Sequence, residues 1–197
     1  MIRTFIALPI PDNLKESLRS AISQLKRINS GLRWVRPESI HLTVKFLGNI
    51  EQDLVEPISQ QLDSVAGSCP ELELGLSGVG VFPGQRRPRV IWAGLGGDIM
   101  PLSQLASAID RMCAGFGIKV EKRPFNAHLT LGRLKVPSMV DLDINLIEEW
   151  YRAEEVIFYK SELLPTGARY TILHSSRLGH KGEGTWKKEE KGLWKMP

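Results

Sequence analysis

The chain has 197 residues, 42% of them hydrophobic, with 26 basic and 22 acidic side chains and a net charge of +4. That length suits one domain of two lobes. It holds no run of about 18 apolar residues, which excludes a transmembrane helix. Residues 1–9 lack a long apolar region and a small-residue cleavage site, so they read as a first strand and not as a secretory leader. Cys69 and Cys113 form no Cys-x-x-Cys pair, and a reduced, cytoplasmic protein is the simplest expectation. The mild basicity permits an anionic partner without requiring one. No mark of an obligate interface stands out, which points to a monomer.

Residues 2–8 read as a strand, and Pro9-Ile10-Pro11-Asp12 breaks it and starts a helix. Leu14, Leu18, Ala21, Ile22, Leu25 and Ile28 share one helical face, which Gly31 closes. Residues 32–35 predict a short strand, 36–39 a turn and 40–47 a strand ended by Gly48-Asn49. Leu54, Ile58, Leu62 and Val65 mark a second helix. Residues 72–82 predict a long strand, loosened by Gly75, Gly78 and Gly80, and 84–89 an exposed basic loop. The order then restarts. Residues 90–93 predict a strand and 94–98 a turn. Leu102, Leu105, Ile109, Met112 and Phe116 mark a helix that Gly117 ends. Residues 118–120 predict a short strand, 126–134 a longer one, 141–150 a short helix, and 156–163 and 170–174 two closing strands. From residue 177 the composition turns to Lys, Glu and Gly with Trp186 and Trp194 interspersed, and no period fits. This predicts a flexible tail over 177–197 behind a body of 1–176.

One stretch occurs twice. His41-Leu42-Thr43-Val44-Lys45-Phe46-Leu47-Gly48 is answered by His128-Leu129-Thr130-Leu131-Gly132-Arg133-Leu134. Thr4 stands 37 positions before His41, and Ile91 stands 37 before His128. Spacing, element order and motif agree, which points to an internal duplication with units at about 2–48 and 90–134. The expected fold is α+β and bilobal: two largely antiparallel sheets, helices outside and a cleft between. On a strand, His and Thr two apart share one face while the aliphatic residues between them take the other. Each copy therefore sets an imidazole beside a hydroxyl, backed by Leu42 and Val44 or by Leu129 and Leu131. By the same alternation Lys45 falls on the His41 face and Phe46 in the core. Trp34 and Trp92 read as core residues, and His174 and His180 as bystanders.

Two facing His-x-Thr units suit a reaction in which one proton is taken and another given. An imidazole titrates near pH 6.5, so one can act as base while its partner acts as acid. A strained cyclic phosphodiester fits this pair. One His activates water, the other protonates the leaving ribose oxygen, and Thr43 and Thr130 donate to the non-bridging oxygens. Arg133 can add fixed positive charge at the phosphate. The cleft is nearly symmetric, so residue type alone does not say which His is the acid. No metal or cofactor is expected. The two motif histidines are 87 positions apart and no close-spaced ligand pair accompanies them. Neither a Gly-x-Ser-x-Gly elbow nor a P-loop is present.

These motifs resemble the paired signatures of the two-histidine (2H) phosphoesterases, and within them the RNA 2′,3′-cyclic phosphodiesterases, also called 2′-5′ RNA ligases. Residues 3–8, Leu32-Arg33-Trp34-Val35, Val81-Phe82-Pro83 and Arg89-Val90-Ile91-Trp92 are similar too, so the resemblance spans about 2–176. It implies metal-free hydrolysis of 2′,3′-cyclic phosphate RNA ends, tRNA fragments among them, to 2′-phosphomonoesters. It further implies His41 as proton donor, His128 as proton acceptor, and a reversible, ATP-independent 2′-5′ ligation at the same site. Two alternatives remain at this point. One is an RNA-end binding module using Arg86, Arg87, Arg89, Lys122 and Arg123. The other is a phosphodiesterase of small cyclic nucleotides or ADP-ribose cyclic phosphate.

Overall fold

The computed structural model describes residues 1–165 and 167–179, together with the backbone of 187–188 and 194–195. The element order is β1 (Ile2–Leu8), α1 (Asp12–Ile28), β2 (Leu32–Trp34), β3 (Leu42–Ile50), α2 (Val55–Gly67), β4 (Leu72–Phe82), β5 (Val90–Gly97) and α3 (Ile99–Ala114). There follow β6 (His128–Leu134), β7 (Trp150–Ala153), β8 (Glu155–Leu164), β9 (Gly167–Arg177), β10 (Lys187–Lys188) and β11 (Trp194–Lys195). The larger strands form two antiparallel sheets. Sheet A has the order β3-β1-β8-β9 and sheet B the order β2-β6-β5-β4-β7. The α+β class and the two antiparallel sheets agree with the expectation.

The helices form where the apolar period places them. In α1, Leu14, Leu18, Ala21, Ile22 and Leu25 are buried, while Ile28 at its end is exposed. Helices α2 and α3 pack on each other and cover sheet A, α2 against β8 and β9 and α3 against β3. A core that includes Ile6, Leu42, Ile58, Leu62, Leu102, Leu129, Leu131 and Phe158 runs through the molecule. Burying one such side chain is worth about 1.5–3 kcal/mol, so this core is the main stabilising term.

Pairing within the sheets repeats the duplication. β1 lies between β3 and β8, and β5 lies between β6 and β4. In each copy the register slips by one residue just after the motif threonine. The slip falls between the Ile6↔Lys45 and Ala7↔Thr43 pairs in the first copy. In the second it falls between the Ile91↔Gly132 and Trp92↔Thr130 pairs. Val44 and Leu131 are thus the extra residues of two equivalent β-bulges. A bulge adds one residue to one strand and re-aims the side chains beyond it.

Three segments differ from the sequence reading. Residues 141–149 form neither a helix nor a strand. Leu142, Ile144 and Leu146 pack against the core at every second position, a strand-like period in a segment with no strand partner. Side-chain amides of the α1 region take the partner's place. Asn29 Nδ2 donates to Asp141 O and its Oδ1 accepts from Asp141 N, at 2.8 and 2.9 Å. Gln24 makes the same two-point pair with Asn145, at 3.0 and 3.1 Å. Residues 118–120 are not a strand but part of a bent loop, pinned by bonds from Lys45 Nζ to Lys119 O and from Glu121 N to Asp110. β5 runs on through Gly94, Leu95, Gly96 and Gly97, in place of the expected turn, because β4 continues to pair with it.

At the C-terminal end β9 continues past His174 to Arg177. Leu178 is buried and its N–H donates to Glu154 O. Beyond Gly179 the structure describes one short antiparallel ladder, Lys187↔Lys195 and Lys188↔Trp194. His180 and Trp186, and the expectation of a flexible tail around them, lie outside the described residues.

Candidate active site

The two motif strands, β3 in sheet A and β6 in sheet B, approach to within 8 Å Cα to Cα. A cleft of about 1960 Å³ opens there, and His41, Thr43, His128, Thr130 and Arg133 all line it. All five site residues expected from the sequence therefore share one cavity. Behind them Leu42, Val44, Leu129 and Leu131 are buried, as alternation requires.

Each imidazole is held in the same way. His41 Nδ1 lies 2.9 Å from Ser39 O, and His128 Nδ1 lies 2.8 Å from Asn126 O. A carbonyl only accepts, so Nδ1 carries the hydrogen in both rings and Nε2 is left for the cleft. In each copy the carbonyl belongs to the residue two before the His, so the tautomer is fixed by local backbone.

The ring environments differ. His41 stacks on Phe5 with centroids 4.6 Å apart and meets the edge of Tyr170 at 5.0 Å. Phe5 in turn stacks on Tyr159 at 5.0 Å. Among the described residues His128 has one such neighbour, Phe82, edge-on at 5.0 Å. Burial in the aromatic cluster pushes the His41 pKa down from its ordinary value near 6.5 to about 4, against the opposing pull of the Ser39 carbonyl. In the empty cleft His41 is neutral at neutral pH.

The bulges overturn the expected placement of Lys45 and Phe46. After the extra residue Val44 the alternation is inverted. Phe46 pairs with Phe5 on the cleft face and is 56% exposed. Lys45 turns to the helix-covered face, is 2% exposed, and bonds Asp110 of α3 at 2.5 Å and Lys119 O at 2.6 Å. It is a buried post for the 118–123 loop and not a rim lysine. In the second copy the same inversion brings Arg133 to the cleft face and leaves Gly132 at the position that answers Lys45. A Cβ on Gly132 would lie 2.9 Å from the Trp34 ring, which explains the glycine. Trp92 likewise lies over Gly80, and both tryptophans are half-buried.

The cleft is far more basic than the whole chain. Among its lining residues Asp110 and Glu121 are the only carboxylates, and Asp110 is held by Lys45. Arg89, Lys122 and Arg123 line it, whereas Arg86 and Arg87 stand exposed on the 84–89 loop outside it. His174 is also outside it, on β9, with Nε2 2.8 Å from Asp63 of α2. Among the described residues no group of three His, Cys, Asp or Glu is placed to hold a metal ion, and no helix is long and apolar enough to cross a membrane.

Sequence reasoning missed the rings around the histidines. Phe5 on β1 stacks on His41 and Phe82 at the end of β4 meets His128, so the two rings come from strands that do not correspond in the two copies. The repeat marks neither of them, nor Tyr159 and Tyr170, because β4, β8 and β9 reach the site only through the fold.

The fold and the paired motif strands define a phosphoesterase, and the chain belongs to the LigT-like phosphoesterase family, whose model matches residues 8–92 and 98–170. It is 30% identical over 184 residues to a Methanothermobacter thermautotrophicus protein named RNA 2′,3′-cyclic phosphodiesterase, covering 90% of this chain and 99% of that one. A Thermus thermophilus crystal structure is similar with a TM-score of 0.80 at 26% identity, covering 92% of this chain and 100% of that one. The structure of E. coli LigT complexed with 3′-AMP is similar with a TM-score of 0.72 at 25% identity, covering 90% and 98%.

Proposed function

We propose that the enzyme hydrolyses 2′,3′-cyclic phosphates at RNA ends to 2′-phosphomonoesters, with the two histidines as its acid and base and without a metal ion. The observation that carries this reading is the pair of His-x-Thr units in one basic cleft, each imidazole fixed through Nδ1 with Nε2 left for the cleft. The relative named for this activity and the neighbour bound to a nucleotide support it.

His128 Nε2 takes a proton from water as the water oxygen attacks phosphorus. The P–O3′ bond breaks, and His41 gives its proton to the leaving O3′. Thr43 and Thr130 donate to the non-bridging oxygens, and Arg133 adds positive charge. His41 is neutral in the empty cleft, so its proton arrives with the substrate. An anionic phosphate beside the ring favours the imidazolium and raises its pKa. Exchange of a proton from His128 to His41 through solvent resets the site. Run in the same direction with a ribose 5′-hydroxyl in place of water as the nucleophile, the same steps give 2′-5′ ligation, and their reversal cleaves that linkage.

The test is phosphorus NMR on a short RNA ending in a 2′,3′-cyclic phosphate, with EDTA present, across pH. The expected product is the 2′-phosphate with a bell-shaped pH profile. His41→Ala and His128→Ala each lower turnover by about 10³-fold or more, with the near-UV circular dichroism retained. Thr43→Val and Thr130→Val each lower it by about tenfold. Formation of a 3′-phosphate reverses the roles of the two histidines. Binding without turnover by the unaltered protein makes the chain an RNA-end binding module.

A further inference from the structure

A pair of arginines lines the cleft from sheet B. Arg33 of β2 is directly opposite Arg133 of β6 in the antiparallel ladder. Directly opposite residues are about 5 Å apart and their side chains share a face. Both arginines are exposed, and both line the cleft. Neither makes an ion pair or side-chain hydrogen bond among the described residues. Like charges placed opposite each other destabilise a ladder unless an anion lies between them.

The pair is also offset from the histidines. Arg133 is five residues beyond His128, on the order of 15 Å of extended strand. Arg133 is near enough to Tyr170, whose ring meets His41, that its positive charge works against the rise that burial causes in the Tyr170 phenol pKa. Arg33 is on the edge strand of sheet B, one strand farther out. Two guanidinium groups so placed do not both serve one phosphate held at the histidines.

We propose that Arg33, beside Arg133, forms a second phosphate subsite that holds the phosphodiester preceding the reacting end of a polynucleotide. This rests on the phosphodiesterase reading above and adds a substrate class to it: ends of two or more nucleotides are preferred over cyclic mononucleotides. Arginine suits the task because its planar fork pairs with two phosphate oxygens at once.

The test compares kcat/KM for uridine 2′,3′-cyclic phosphate and for a trinucleotide ending in a 2′,3′-cyclic phosphate. With the unaltered protein the trinucleotide is the better substrate and shows the steeper fall with salt. Arg33→Gln lowers kcat/KM on the trinucleotide by about tenfold and on the mononucleotide by less than about threefold, mainly through KM. It also reduces the logarithmic salt slope on the trinucleotide by about 0.7, one contact on a single strand. Arg33→Lys keeps the salt slope and recovers part of the loss. Equal losses on both substrates, or an unaltered ratio in Arg33→Gln, would overturn the subsite and leave the phosphodiesterase intact. Failure of the unaltered protein to turn over either substrate would remove both readings.

Discussion

At the scale of the residue the two histidines are alike in sequence and unlike in setting. His41 is pressed among Phe5, Tyr159 and Tyr170, while His128 has, among the described residues, Phe82 as its ring neighbour. The desolvation of His41 has a consequence for stability. Its folded pKa of about 4 lies below the ordinary value near 6.5. Between those limits the unfolded chain binds a proton that the folded protein refuses, so stability falls as pH drops from 6.5 to 4. The full stabilisation is present above that window. At about 1.4 kcal/mol per pH unit the loss is on the order of 3 kcal/mol. His41→Gln removes the titrating group, so its urea midpoint changes less between pH 7 and 4.5 than that of the unaltered protein. Equal slopes in the two proteins would refute the lowered pKa. Inorganic phosphate acts in the opposite sense: its charge raises the His41 pKa, which an NMR titration of the ring proton reads directly. The pairing of imidazole with hydroxyl was legible from residue spacing alone. The aromatic cluster that makes the imidazoles unequal was not, because Tyr159 and Tyr170 lie more than 115 positions along the chain from His41.

At the scale of the element the bulges decide what each motif strand presents. A period of two predicts Lys45 in the cleft and Phe46 in the core, and the extra residue Val44 exchanges them. No residue type announces this bulge. Val44 and Leu131 are ordinary strand residues, and the slip is visible only in the pairing with β1 and β5. The segment 141–149 departs from its expected helix for a related reason. Its apolar residues Leu142, Ile144 and Leu146 fit a short strand as well as a helical turn, and its partners Gln24 and Asn29 are distant in sequence. The buried post created by the first bulge is testable. Asp110→Asn leaves the Lys45 ammonium without a countercharge in a site where its side chain is 1% exposed, and costs about 3 kcal/mol. Lys45→Met removes the charge and keeps the stem, and costs less than Asp110→Asn in urea unfolding. The reverse order would show that the pair is not a buried ion pair in the folded protein. Both changes free the 118–123 loop that carries Lys122 and Arg123 to the cleft, so both raise KM for RNA.

At the scale of the whole molecule charge and topology are both hidden from local reading. A net charge of +4 suggested a barely basic body, yet seven arginines line one cleft while most carboxylates lie elsewhere. The two motif strands were legible, but not the way the two halves of the chain are interleaved. Sheet A takes β1 and β3 from the first half and β8 and β9 from the second. Sheet B takes β2 and β4 from the first half and β5, β6 and β7 from the second. Cleaving the chain in the exposed loop between Arg86 and Arg87 tests this arrangement. The fragment 1–86 keeps the β1–β3 ladder but loses β8 from beside β1, and loses β5 and β7 from both edges of β4. The fragment 87–197 keeps the β8–β9 and β5–β6 ladders without β1 or β4. Isolated two-stranded ladders are marginal in water, so neither fragment alone should show a cooperative thermal transition by circular dichroism. Mixed in equal amounts they should recover one, since every strand then regains its partners and β3 and β6 again face each other. A cooperative transition in either fragment alone would mean that a single repeat is a folding unit. The cleft would then be an interface between two finished modules, and not a seam that forms only when the halves exchange strands.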